Sequence, residues 1–234
     1  MDPTDVDQQL TGLTGLADPV RRALYRHVSE RGDAVARDEA ASALGISRAL
    51  AAYHLDRLVE DGLLQARFER RTGRRGPGAG RPAKLYLRSA RQVEVSLPAR
   101  DYASLAELLA RAVEADGSGA ARASLHAVGR ALGAQLGAET AAAGDRGDSG
   151  VLEALRAVLA GRGYEPYDDG GTLRLRNCPF DRVAARHREL VCGANLAMIE
   201  GLVGQLGDRG VRPVLDPAPG RCCVALRVSA PRRS

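Results

Sequence analysis

The amino-acid sequence predicts a mostly helical α+β protein built as two domains. Three observations carry this. Apolar residues recur with helical spacing over most of the chain, short alternating stretches are few, and one basic segment rich in Gly and Pro interrupts the N-terminal third. The 234 residues suffice for two modest cores. Hydrophobic residues make up 44% but aromatics only 3%, without Trp, so those cores rest on Leu, Val and Ala.

Residues 1–15 read as a polar leader. Asp18 then caps a helix with Pro19 in its first turn, running to about Glu30, in which Val20, Leu24 and Val28 recur every four positions. A short helix is predicted over Arg37–Leu44. Gly45, Ile46 and Ser47 make a tight turn, and Ser47 opens a third helix that reaches Asp61 and stops at Gly62 in the left-handed conformation. Leu63–Arg70 and Lys84–Arg88 read as strands around RTGRRGPGAGRPA, which is too rich in Gly and Pro for regular structure. Three helices followed by a hairpin with a long basic tip is the order of a winged helix-turn-helix, predicted over residues 16–90.

Residues 90–98 connect to a second, α+β domain predicted over 99–230. Helices are expected at Ala99–Ala115 and Ala120–Ala142, the second with a stripe of Leu125, Val128, Leu132 and Leu136 that reads as core rather than as a dimer face. A polar break, 143–149, precedes a helix at Val151–Arg162. The turn 168–171 leads into a strand at Leu173–Arg176. Helices at Pro179–Val191 and Asn195–Leu206 follow, broken at Cys192 and Gly193, and Pro217–Gly220 turns into a strand at Arg221–Val228.

Charge is concentrated in one place. From Arg67 to Lys84, seven cations stand against Glu69, a net +6, which leaves −1 for the rest of a chain whose total is +5. Such a segment points to a polyanion. The third helix buries Ala51, Leu55, Leu58 and Val59 and turns Arg48, Ala49, Ala52, Tyr53 and Arg57 outward, where the N-terminal residues of such a helix meet base edges in the major groove. Ser47 and Arg48 stand at its entry; Arg48 suits a guanine edge and Arg57 a phosphate. The candidate DNA contacts of the hairpin are Arg70, Arg71, Arg74, Arg75, Arg81 and Lys84. His54 reads as a packing residue.

The polar, acidic start and the lack of an eighteen-residue apolar run predict a cytoplasmic protein that does not engage a membrane. No GxGxxG after a strand, P-loop or CxxC is present, so no enzymatic activity is expected. The four cysteines, Cys178, Cys192, Cys222 and Cys223, all fall in the last quarter. Cys178 precedes Pro179 and so is expected at a helix N-terminus, where a thiolate is favoured. Cys222 and Cys223 are expected on a strand, facing opposite ways, so that only one, Cys222 by preference, joins a common site. An iron–sulfur cluster, zinc or another metal, a thiol redox switch and buried structural thiols all stand open on the residues alone.

The segment SRALAAYHLDRLVEDGLL followed by GRPAKLYLR resembles the ArsR-like winged-helix repressors over about residues 15–90, and most of all the SufR-type subgroup that regulates iron–sulfur assembly genes. The resemblance implies a homodimeric repressor on double-stranded DNA, with a [4Fe-4S] cluster held by cysteines of NCPF, VCGANLAMIEGLV and GRCCV. The chain departs from that subgroup in having no separate cysteine between Gly193 and Arg221. Three cysteines, or a fourth ligand such as His187 (expected to be exposed between Arg186 and Arg188), would then complete the set. The alternative is a winged-helix regulator that senses a small organic ligand or zinc and whose cysteines are structural.

Overall fold

The computed structural model describes residues 10–69, 82–94, 100–142, 148–207 and 210–229. The chain divides into two compact units, Met1–Arg100 and Asp101–Ser234.

In the first unit, residues 10–15 are helical, where the sequence reads as a leader. Gly12 in this turn faces Leu63 and Val93. Helix α1 (Pro19–Arg31) starts as expected: the Asp18 carboxylate accepts the Arg21 N–H at 2.9 Å. A strand the sequence does not announce, β1 (Val35–Ala36), precedes α2 (Arg37–Leu44). Two residues are too few for any periodicity to register. Helix α3 (Arg48–Glu60) ends at Asp61, with Gly62 at φ 73°. Strands β2 (Leu64–Glu69) and β3 (Ala83–Arg88) pair antiparallel from Leu64 opposite Arg88 to Glu69 opposite Ala83, in the order β1-β3-β2. Leu24, Val28, Val35, Leu55, Leu58 and Tyr86 form the core beneath.

The second unit opens with α4 (Tyr102–Glu114). The Asp101 carboxylate caps it through the Ser104 N–H at 3.0 Å, which starts the helix later than the expected Ala99. Helices α5 (Ala120–Ala142) and α6 (Asp148–Gly161) follow. Next come β4 (Pro166–Asp169), β5 (Thr172–Leu175), the short α7 (Asp181–Ala184), α8 (Arg188–Leu206), β6 (Val211–Leu215) and β7 (Val224–Val228). The strands form one antiparallel sheet, ordered β4-β5-β7-β6. β6 carries Pro213, which its edge position tolerates. Leu155 and Leu159 of α6, Leu173, Leu175 and Leu226 of the sheet and Ile199 of α8 fill the core.

Two expectations fail here for one reason. The chain does not break at Cys192 and Gly193; α8 runs through them unbroken. Nor is the α5 stripe core: Val128 is 66% and Leu132 41% exposed, and of the four only Leu136 is buried. The face of α5 that meets α8 is instead Gly129, Gly133 and Gly137. A Cβ on Gly133 would overlap the Met198 carbonyl oxygen, and one on Gly201 would overlap that of Arg130. The glycines bring two backbones together, and Gly193 likewise makes room for the His126 ring. An ion pair between Arg130 and Glu200, at 3.0 Å, braces the same seam.

Candidate functional site

Two surfaces carry the chemistry. The first is α3. Gly45 takes φ 64°, and the Ile46 N–H bonds the Ala41 carbonyl at 3.1 Å, so the chain reverses at once after α2. The Ser47 hydroxyl then accepts the Leu50 N–H at 3.2 Å and starts α3. Ala51, Leu55 and Leu58 are buried, as is His54, in line with its packing role. Arg48, Ala49, Tyr53 and Arg57 are exposed and Ala52 half-buried, so the expected outer face is open to a partner. Leu50, exposed on the same turn, was not foreseen as part of it; its apolar side chain gave no polar signal. Arg48 lies 3.5 Å from Asp38, and Arg57 pairs with Glu60 at 2.8 Å. Both pairs are exposed and weak enough to exchange for phosphate.

Lys84 is held by a carboxylate of α3. Its ammonium lies 2.8 Å from the Asp56 carboxylate, which also accepts the Tyr86 hydroxyl at 2.7 Å. Asp56 thus ties α3 to β3 and orients the root of the hairpin against that helix. Burial opposes the charge on Asp56, but the bonds from Lys84 and Tyr86 prevail and hold its carboxyl below the usual value of 3.8. Arg67 pairs with Glu69 at 3.1 Å. Arg70, Arg71, Arg74, Arg75 and Arg81 lie outside the described residues.

The second surface is built from thiols. All four cysteines are free, Cys192 and Cys222 buried, Cys178 and Cys223 half-buried. Cys178 is a near neighbour of Cys222 and Cys192 of Cys223, each close enough to feel the other's charge. Both members of the adjacent pair are therefore engaged, where only one was expected. The reason is that Cys222 and Cys223 precede β7 rather than sit within it: the Cys222 N–H bonds the Leu175 carbonyl and the Cys223 carbonyl takes the Asp216 N–H. Cys178 does not stand at the mouth of a long helix either, since α7 begins only at Asp181 and spans four residues.

The Cys222 sulfur accepts the Asn195 amide and the Val224 N–H, each at 3.5 Å. The Cys178 thiol first, and then the Val224 N–H, lower its pKa against the effect of burial. The bond to Cys222 and burial push Cys178 up, and burial with the Cys223 bond pushes Cys192 up to about 12. Asn195 is itself fixed, its carbonyl oxygen taking the buried Tyr164 hydroxyl at 2.5 Å. His187 is a correction: only 7% exposed, it is held by Glu114 at 2.8 Å, and its other ring nitrogen is buried with no hydrogen-bond partner among the described residues.

The donor set is wholly thiol, drawn from the loop before α7, from α8 and from the approach to β7. Among the described residues no three Cys, His, Asp or Glu side chains gather as ligands of one metal ion. Zinc needs its ligands closed on a single point.

A helix-turn-helix domain family matches residues 16–65, the segment from the turn before α1 into β2. Comparison with curated proteins and with solved structures finds no match. No helix among the described residues is long and apolar enough to cross a membrane.

Proposed function

We propose that this chain, which carries a helix-turn-helix domain, is a transcriptional regulator that binds a palindromic operator as a homodimer and whose C-terminal thiols hold a [4Fe-4S] cluster that governs binding. The observation that carries the DNA part is the open outer face of α3, opened by Ser47 and braced to β3 through Asp56. The basic segment that follows β2 supports it, since cations there neutralise phosphates and release counterions. Repression is the sign that the resemblance to SufR-type proteins implies.

Binding should weaken steeply with salt. Replacing Arg74 and Arg75 with Ala should reduce the slope of log K against log salt by up to about two, the share of two phosphate contacts. Fluorescence anisotropy across a salt series measures this; an unaltered slope removes the wing from the interface.

The dimer is supported by an apolar surface that the second unit leaves bare. Tyr102, Leu105, Leu108 and Leu109 of α4 are exposed, as are Val128 and Leu132 of α5. A second copy would bury what one copy cannot.

The cluster reading is supported by the nearness of Cys178 to Cys222 and of Cys192 to Cys223, and by the N–H donors on Cys222, which favour an anionic sulfur. When bound, such a cluster supplies an iron- and oxidant-sensitive link between three segments of the second unit. A second reading has an observation of its own: Cys178 neighbours Cys222 and Cys192 neighbours Cys223, so an oxidant could join each pair as a disulfide. Iron, sulfide and zinc analysis of anaerobically purified protein decides between them. Stoichiometric iron and sulfide are expected; metal-free protein that loses thiols in pairs on oxidation would replace the cluster by the disulfide switch.

A further inference from the structure

We infer that α3 reads thymine through its 5-methyl group, with Leu50 and Tyr53 as the side chains that set the preference. The inference rests on the DNA-binding reading and names what that surface selects. In the major groove adenine is read by Asn or Gln, cytosine by a carboxylate and guanine by Arg or Lys, while thymine alone presents a methyl group. Between Ser47 and His54 the chain has no Asn, Gln, Asp or Glu. The two carboxylates further along α3 are engaged, Asp56 by Lys84 and Tyr86 and Glu60 by Arg57.

What the first two turns offer is one guanidinium, Arg48, and a band of carbon. That band is the methyls of Ala49 and Ala52, the side chain of Leu50 at 39% exposure and the ring of Tyr53 at 60%. Neither Leu50 nor Tyr53 belongs to the core of this unit, which is complete without them. An apolar band on the helix face that meets base edges gains by burying base carbon, and thymine is the base that supplies it. Four residues of helix cover about 6 Å, and bases step by about 3.4 Å, so the band spans two adjacent base pairs, with a guanine under Arg48 beside them.

The test begins with selection of random duplexes by the full-length protein. Each thymine of the enriched site is then replaced by deoxyuridine, which removes the 5-methyl group and nothing else. Affinity should fall about fourfold for each contacted thymine, the equilibrium equivalent of one methyl group's burial. Leu50→Ala should weaken the thymine duplex by a similar factor and abolish the deoxyuridine effect at one position. Because Leu50 lies outside the core, that variant should keep the circular dichroism of the parent. Equal affinity with deoxyuridine at every position, or an enriched site without thymine, overturns methyl readout and leaves DNA binding standing. Failure to enrich any duplex overturns both.

Discussion

Gly133→Ala should destabilise the second unit by about 3 kcal/mol or more, at the upper end of what overpacking costs. The new Cβ would overlap the Met198 carbonyl oxygen and crowd the Leu202 nitrogen, both backbone atoms of α8, so no side-chain rotation relieves it. The two helices would have to separate, opening the seam that Leu136, Ile199 and Leu202 seal. For a unit of this size the corresponding fall in Tm is about 10 °C. Gly204→Ala is the matched control. It lies in α8 with nothing within 4 Å of its added Cβ, and helix propensity alone should make it neutral or up to about 1 kcal/mol stabilising. Thermal unfolding followed by circular dichroism distinguishes the two; similar melting of both variants would show that the seam is not packed backbone to backbone.

Asn195→Leu carries the second large effect, a loss of about 1–3 kcal/mol. The hydroxyl of Tyr164, a residue only 2% exposed, would lose its acceptor, and burial keeps that phenol protonated far above its ordinary range, so it cannot escape by ionising. The Cys222 sulfur would lose its side-chain amide donor in the same step. Removing both polar partners should be cheaper than the single losses together. The double variant with Tyr164→Phe should therefore recover about 1 kcal/mol relative to additivity, read from urea midpoints. Strictly additive midpoints would mean that Tyr164 and Asn195 do not act as a unit.

These residues also show where sequence reasoning reaches and where it stops. The first unit was legible almost to the residue, because its signals are local. Asp18 and Ser47 cap by bonds to N–H groups three residues on, and Gly45 and Gly62 stop helices through their own backbone angles. The outer face of α3 followed from helical spacing alone. Asp56 did not, since its two partners lie 28 and 30 residues away on β3. In the second unit glycine misled: Gly193 reads as a break but is a point of close approach, and Gly129, Gly133 and Gly137 read as nothing beside an obvious leucine stripe.

By itself the sequence determined the caps, the turn before the recognition helix, the position of the basic segment and the identity of four thiols. Those depend on bonds and charges within a few residues, which order along the chain encodes directly. Only the tertiary structure decided that cysteines far apart in the chain become neighbours, that Asn195 and Tyr164 stand behind Cys222, and that α5 turns its glycines rather than its leucines toward α8. Each of these is a contact between segments far apart in the chain, set by which surfaces can approach most closely, and no local periodicity records that.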